Sequence, residues 1–383
     1  MEKIYMDHGA TTPMREEVFQ AMLPYLKDIN GNPSSLHSFG REVAKALDEA
    51  REKTAAALGA SPEEIFFTSG GTEANNLAIQ GIARALSSKG SHIITSSVEH
   101  HAVLDVVEYL GNTGFNVTFL PVDEYGMVDP EDVKKALTDE TILVSIMAAN
   151  NEVGTIQPFE EIGRICKEKG VYFHTDAVQT IGYLPFNLQE QPIDSLSLSA
   201  HKFYGPKGVG ALYVRRKTKI KQLAFGGGQE RKLRPGTENI PGIVGLGRAI
   251  ELAEEEREKN NSISQLRDRL IEGLLEVEDV KLNGHPAKRL PGNVNVTAYY
   301  VEGESILLSL DLKGIAASSG SACTSGSLEP SHVLMAMGFD HQSAHGSLRL
   351  TLGKDNTRQD VEYTIESFKE VVERLRKMSS VKK

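Results

Sequence analysis

The stretch SLSLSAHKFYGPKGVGALYV, residues 195–214, decides which fold is predicted. An alternating run, SLSLSA, leads to Lys202, and a Gly-Pro-Lys-Gly turn then leads to a second apolar run, GALYV. Both runs have the pattern of strands, and the turn between them is too short to hold a helix. We therefore expect two neighbouring antiparallel strands with a lysine at the end of the first.

Strand-like runs also precede this pair, and they are IFFT at Ile65, HIIT at His92, NVTFLPV at Asn116, ILVSIM at Ile142 and VYFHTD at Val171. Most are separated by segments with helical periodicity, at about residues 15–26, 41–58, 72–86, 100–110 and 158–169. This alternation is typical of a mainly parallel sheet covered by helices. The prediction is an α/β fold with these seven strands in one sheet.

The pattern changes after Thr237. A long charged helix is predicted through ELAEEEREKNNSISQLRDRLIEGLLEV, followed by weaker strands at 293–298 and 347–352 and a last helix at about 358–378. We expect a large domain at residues 15–258, and a smaller α+β domain made of residues 1–14 and 259–383.

Composition excludes several classes of function. The formal charge of the 383 residues is -10, and nucleic-acid and anionic-membrane surfaces need a basic face. The sequence has no apolar run of signal-peptide or membrane-span length, so a cytoplasmic location is expected. Cys166 and Cys323 are too few for a disulfide framework or a cysteine-based metal site.

Polar groups follow the strands at the edge where open parallel sheets bind ligands. In SGGTEANN, Gly71 and Thr72 form either an ordinary helix cap or a phosphate seat. In VYFHTDAVQT, Asp176 either caps a helix or holds a proton on a heterocyclic nitrogen. His100 and His101 lack the spacing of a zinc site, so an acid/base role or an imidazole face fits better, and no metal is expected.

Lys202 also has two interpretations: its side chain extends to solvent, or it forms a Schiff base with a carbonyl. A lysine, a carboxylate, a histidine and a helix start at one sheet edge are together the parts that hold pyridoxal phosphate. The lysine binds the aldehyde, the carboxylate keeps the pyridine nitrogen protonated, and the helix start neutralises the phosphate.

The run SAHKFYGPKGVGALYV resembles the lysine motif of class V aminotransferase-like enzymes. Nearly the whole chain resembles the cysteine desulfurases of the NifS/IscS-like group through, in order, MDHGATTP, SGGTEANN, EHHAVL, ANNEVG, TDAVQT, RPGTEN and SSGSACTSGSLEPSHVL. The resemblance implies the fold type I aminotransferase architecture, pyridoxal 5'-phosphate as cofactor, and a homodimer with active sites at the subunit interface.

The resemblance also implies roles for individual residues. Lys202 would be the Schiff-base lysine, Asp176 would pair with the pyridinium nitrogen, and His100 would stack on the ring and move protons. The implied cofactor site comprises Gly71, Thr72, His100, Asn151, Asp176, Gln179, Ser199, His201, Lys202 and, from the other subunit, Thr237. Asn151 and Arg349 would bind the substrate, with Arg349 holding its carboxylate.

Cys323 distinguishes between reactions. It lies in SSGSACTSGS, a segment predicted to be a mobile loop, whereas the alternative for a lone cysteine is a small buried apolar residue. We interpret Cys166, on a helical pattern, as packing. In the desulfurase reaction, L-cysteine becomes L-alanine and its sulfur is held as a persulfide on Cys323. The long loop resembles the group that supplies iron-sulfur scaffold proteins.

Three alternatives stay open. An aminotransferase would use Lys202, Asp176 and Arg349 but not Cys323, and a selenocysteine lyase would act on selenium. A non-catalytic sulfur-relay or assembly protein would lack the cofactor. The short end MSSVKK also suggests that the chain lacks the longer tail by which some relatives contact a scaffold protein.

Overall fold

The computed structural model describes residues 3–319 and 330–378. The strands are β1 (Ile4–Tyr5), β2 (Ile65–Thr68), β3 (His92–Ser96), β4 (Asn116–Leu120), β5 (Thr141–Ser145), β6 (Tyr172–Asp176), β7 (Ser195–Ser199), β8 (Gly210–Val214), β9 (Val280–Leu282), β10 (Asn293–Ala298), β11 (Ile315–Ala316) and β12 (Ser347–Thr351). The helices are α1 (Glu16–Lys27), α2 (Ser38–Leu58), α3 (Gly71–Leu86), α4 (His101–Asn112), α5 (Pro130–Ala136), α6 (Phe159–Lys169), α7 (Ile240–Glu255), α8 (Asn260–Leu275), α9 (Gly303–Asp311), α10 (His332–Ala336), α11 (His341–His345) and α12 (Arg358–Met378).

The large sheet has seven strands in the order β2-β8-β7-β6-β5-β3-β4. The predicted α/β fold is confirmed, and β7 and β8 are antiparallel as expected from their short connection. Strand β8 is also antiparallel to β2, whereas the neighbours from β7 to β4 are parallel. The carboxyl ends of β6 and β7 therefore lie side by side, which brings Asp176 and Ser199 to the same edge.

Helices cover both faces of this sheet. On one face, Leu47 of α2 and Leu246 of α7 share a buried cluster with Leu196 of β7. A different cluster joins Ile82 of α3 and Val107 of α4 to the sheet. Burial on both sides explains why β3, β5 and β8 read as nearly continuous apolar runs.

A separate core lies in the C-terminal part of the chain. It contains residues of α8, α12 and the small antiparallel sheet β12-β10-β9, together with Met6 from the N-terminal segment. Strand β1 pairs with β11, so the first residues join this second core rather than the large sheet. The expected two-domain division and its boundaries stay a prediction.

The prediction of one long charged helix was wrong. The segment forms α7 and α8, separated by a short 3-10 turn at Arg257–Lys259. At the break, Glu256 has φ -99° and ψ 0°, and its carboxylate binds Arg15 at 2.5 Å. The following asparagines and serine favour helix ends over helix interiors, so a tertiary contact can stop the helix here. Helix α5 was not predicted.

No helix within residues 3–319 and 330–378 has both the length and the apolar character needed to span a lipid bilayer.

Candidate active site

A cavity of about 260 Å³ lies at the carboxyl ends of β6 and β7, beside the starts of α3 and α4. Ten of the predicted site residues line it. Those that line it are Gly71, Thr72, His100, Asn151, Asp176, Gln179, Ser199, His201, Lys202 and Arg349. The structure thus brings residues from distant parts of the chain to one site.

Lys202 reaches the cavity from the turn that follows β7. Its Nζ donates hydrogen bonds to the carbonyl oxygens of Gly9 and Ala10, at 2.5 and 2.8 Å. Gln179 Nε2 also donates to Gly9 O, at 3.0 Å. The N-terminal MDHGATTP segment therefore forms one wall of the site and holds the lysine at its edge.

Asp176 is the last residue of β6 and is 7% exposed. One carboxylate oxygen, Oδ1, accepts the backbone N–H of Val178 at 2.9 Å. The other, Oδ2, accepts the Asn75 amide at 2.6 Å. Two donors thus fix the carboxylate at the cavity wall, where it can hold a proton on a ligand nitrogen.

The start of α3 forms a cradle for an anion. Gly70 has φ +155°, and the helix begins at Gly71 with no side-chain cap. A Cβ on Gly71 would lie 2.6 Å from Val178 Cγ2, so this position requires glycine. The first N–H groups of the 16-residue helix and its dipole suit a phosphate, and Ser199 and His201 line the same cavity. Burial lowers the pKa of His201 to about 4.

His100 caps α4, and its Nδ1 accepts the backbone N–H of Ala102 at 3.0 Å. In the neutral ring the proton is then on Nε2. Burial lowers the pKa of His100, while the nearby Asp176 carboxylate opposes that shift. A neutral imidazole that borders the cavity can pack against an aromatic ligand and exchange a proton through Nε2.

Arg349 is 2% exposed and enters the site from β12. Its guanidinium donates to the Asn151 carbonyl oxygen at 3.1 Å and contacts Asp7 Oδ1 at 3.3 Å. Its buried Nε has no hydrogen-bond partner within the described residues. Because an orphaned buried donor is costly, the arrangement fits a carboxylate ligand that takes up the remaining donors.

Sequence reasoning missed Asn75, which lines the cavity, and several polar residues near the site. Asn75 and Asp7 stand in SGGTEANN and MDHGATTP, but neither was given a role. His174, Glu99 and Glu152 are buried polar residues beside predicted ones, and burial raises the pKa of Glu99 to about 8. Their position inside the quoted motifs, within two residues of a predicted site residue, was the available signal, since buried polar groups need partners.

One predicted residue, Thr237, is exposed on the segment before α7 and does not line the cavity. Cys323 lies outside the described residues, so its predicted mobility and its access to the site stay predictions. Cys166 is fully buried in the large core, as its packing interpretation expects.

The donor set fits pyridoxal phosphate. An amine, a carboxylate and a helix start with glycines border one cavity. The Arg349 Nε, which has no hydrogen-bond partner within the described residues, is a donor that a carboxylate ligand could use. Among residues 3–319 and 330–378, no group of three or more His, Cys, Asp or Glu side chains is placed to hold a metal ion.

Comparisons with known proteins show which proteins this chain is similar to. The family Aminotransferase class-V matches residues 4–364. A protein described as cysteine desulfurase IscS from Methanosarcina thermophila is 59% identical, over 98% of this chain and 93% of its own length. Another with the same description, from Dictyoglomus turgidum, is 56% identical over 99% of this chain and 97% of its own.

Solved structures show the same architecture. A structure described as a NifS-like protein superposes with a TM-score of 0.92 at 41% identity, covering 97% of this chain and 100% of that one. A structure of SspA in complex with cysteine gives a TM-score of 0.81 at 38% identity, covering 91% and 98%.

Proposed function

Because the chain belongs to the class V aminotransferase family, we propose that it is a pyridoxal-phosphate-dependent cysteine desulfurase. It converts L-cysteine into L-alanine and passes the sulfur to Cys323 as a persulfide. The observation that carries the proposal is the convergence of Lys202, Asp176, Arg349 and the start of α3 on one cavity of about 260 Å³.

The cofactor, when bound, supplies an aldehyde that reacts with amines and a ring that takes up electron density from the substrate Cα. Asp176 would hold the proton on the pyridine nitrogen, and His100 would pack against the ring. The N–H groups at Gly71 and Thr72, with Ser199 and His201, would bind the phosphate. Gln179, whose Nε2 lies at hydrogen-bond distance from Gly9 O, would bind the phenolic oxygen.

Other residues that line the cavity would act on the substrate. Arg349 binds the carboxylate of L-cysteine with its fork of N–H donors, and Asn151 borders the same space. Lys202 Nζ removes the proton from the substrate Cα. The Cys323 thiolate attacks the substrate sulfur, so the S–S bond forms as the C–S bond breaks, and protonation of the carbon product leads to alanine.

The quaternary structure is part of the proposal. Thr237 is exposed and does not line the cavity of its own chain, which suits a residue that reaches the partner's phosphate site in a homodimer. Leu36 and Phe225 are 91% and 83% exposed, and pairing of two copies would remove apolar surface of this kind from water. Delivery to an iron-sulfur scaffold protein or another acceptor, and the cytoplasmic location, also stay predictions.

The direct test is alanine formation from L-cysteine with a thiol reductant. The native protein is compared with Cys323→Ala at matched cofactor content, and Cys166→Ala serves as the control. We expect alanine from the native protein and the control only. Equal alanine formation by all three proteins would overturn the role of Cys323. So would the absence of alanine from all three while the cofactor stays bound, and either result would favour transamination.

A further inference from the structure

We propose that Ser195, His174 and Asn75 form a directed hydrogen-bond chain that orients the Asp176 carboxylate toward the pyridine nitrogen of the cofactor. His174 and Asn75 are then positioning residues for the reaction, although only Asn75 lines the cavity. This inference rests on the proposed function only for the identity of the ligand. The hydrogen-bond chain itself is inferred from the geometry alone.

The chain links three elements of the fold. His174 Nδ1 lies 3.0 Å from Ser195 Oγ, across the parallel pair β6 and β7. His174 Nε2 lies 3.1 Å from Asn75 Oδ1, on the first turns of α3. Asn75 Nδ2 in turn lies 2.6 Å from Asp176 Oδ2.

The direction of each hydrogen bond follows from the Asp176 carboxylate, which accepts and does not donate when ionised. Asn75 must present its NH₂ group to Asp176, because the flipped amide would place two oxygens 2.6 Å apart. Its Oδ1 therefore faces His174, which must carry its proton on Nε2. His174 Nδ1 is then an acceptor, and the Ser195 hydroxyl donates to it.

Burial leaves this chain without substitutes. Ser195 and His174 are 0% exposed and Asn75 is 1% exposed, so bulk water cannot replace a lost partner. Burial also lowers the pKa of His174 to about 3, which keeps the ring neutral at ordinary pH and allows Nδ1 to accept. All three donors point toward Asp176, so each polarises the next and the negative charge at the end is stabilised.

The chain has a functional consequence that a purely structural contact lacks. A carboxylate held in one orientation keeps its free lone pairs directed into the cavity, where they can hold the protonated pyridine nitrogen. If the Asn75 amide were free to rotate, its oxygen would at times face Asp176 and repel it. Losing the His174 donor should therefore weaken cofactor binding and change the electronic state of the bound ring.

The test uses two pairs of variants. His174→Leu replaces the donor ring with an apolar side chain of similar bulk, whereas His174→Gln retains an N–H that can reach Asn75. Ser195→Ala removes the first donor of the chain. Its matched control is Ser197→Ala, on the same strand, because the buried Ser197 hydroxyl has no hydrogen-bond partner in the part of the chain that the structure describes.

Three measurements distinguish a positioning role of His174 from a purely structural one. ¹⁵N NMR of the histidine rings, assigned by the loss of one signal in His174→Gln, reports the His174 tautomer with and without cofactor. Equilibrium dialysis gives the dissociation constant of pyridoxal phosphate. The visible absorption of the bound cofactor, followed against pH, reports its electronic state. Circular dichroism confirms that each variant is folded.

We expect a neutral His174 with its proton on Nε2. The cofactor should bind about tenfold more weakly in His174→Leu. Losses of this size are typical when a residue that hydrogen-bonds to a metal-binding side chain is removed. His174→Gln should recover most of that loss, Ser195→Ala should show a smaller shift in the same direction, and Ser197→Ala should match the native protein.

A proton on Nδ1, or a charged ring, would overturn the proposal. So would equal cofactor binding and absorption in Ser195→Ala and Ser197→Ala, a comparison that holds even if His174→Leu fails to fold. If the native protein binds the cofactor but forms no alanine, that result would count against the proposed function. The measurements above would still decide whether the hydrogen-bond chain orients Asp176.

Discussion

The Asp7 carboxylate lies 3.3 Å from the Arg349 guanidinium and is its acidic partner within the site. The two residues are 342 positions apart, and they meet because the segment after β1 runs alongside β12. Burial raises the pKa of Asp7, and the Arg349 charge opposes that shift. The pair thus gives the buried guanidinium of Arg349 an acidic partner.

Asp7 should therefore compete with the substrate. In Asp7→Asn we expect the KM for L-cysteine to fall about fivefold, equivalent to about 1 kcal/mol, with a smaller change in kcat. Arg349→Lys should raise the KM at least tenfold, since lysine lacks the fork of donors. Steady-state alanine formation measures both. An unchanged or higher KM in Asp7→Asn would mean that Asp7 supports the bound substrate instead.

Glu152 should make stability depend on pH. It is buried, Ser331 Oγ donates to its carboxyl group, and burial raises its pKa from 4.5 to about 7. An acid with a raised pKa in the folded state binds its proton more tightly there, so ionisation opposes folding. This cost is absent below pH 4.5, grows as the pH rises, and is complete above about pH 7.

Glu152→Gln should remove that cost, whose full size is about 3 kcal/mol. The melting temperature of this variant, relative to the native protein, should rise between pH 4.5 and 7 and then level off. Thermal unfolding of the cofactor-free protein across this range measures the difference, and Glu131→Gln on exposed α5 is the control. A difference that does not change with pH would show that Glu152 is ionised in the folded protein throughout.

Loss of either partner of the buried Arg51–Glu230 pair should strongly destabilise the folded protein. Two guanidinium nitrogens contact the carboxylate at 2.7 and 2.9 Å, and the Phe67 N–H donates to it at 2.8 Å. Glu230, Arg231 and Lys232 all have positive φ, from 44° to 68°, a strained run that this pair holds in place.

Glu230→Ala should lower the free energy of unfolding by about 3–5 kcal/mol, because it leaves a buried charge unpaired. The matched control is Glu49→Ala, which removes an exposed ion pair with Lys45 and should cost less than about 1 kcal/mol. Denaturant titration measures both. Similar costs would mean that water reaches Arg51 when Glu230 is absent.

Cys166 should be unreactive in the folded protein. It is 0% exposed, and burial raises the pKa of its thiol to about 12, so almost no thiolate is present at neutral pH. In Cys323→Ala, which retains Cys166 alone, iodoacetamide should label nothing until denaturant is added. Mass spectrometry follows the labelling. Rapid modification of the folded variant would show that the helix carrying Cys166 opens locally.

Much of the fold could be predicted because its signals are local. Apolar runs of strand length and helical periodicity are written in neighbouring residues, so the seven-strand sheet and the antiparallel pair around Lys202 followed from pattern. The break between α7 and α8 could not be predicted from the local pattern, since it coincides with a contact between Glu256 and the distant Arg15.

The order of the residues is enough to place each chemical group on its strand or helix: a lysine after β7, an aspartate ending β6, and glycines opening α3. Which of these groups meet depends on how the chain packs. Asn75 and Asp176 are 101 residues apart, and Asp7 and Arg349 are 342 apart. The physical reason is that hydrogen bonds and ion pairs act over a few ångströms of space. Positions along the chain do not reveal such contacts until packing of the sheet, the helices and the N-terminal segment brings the partners together.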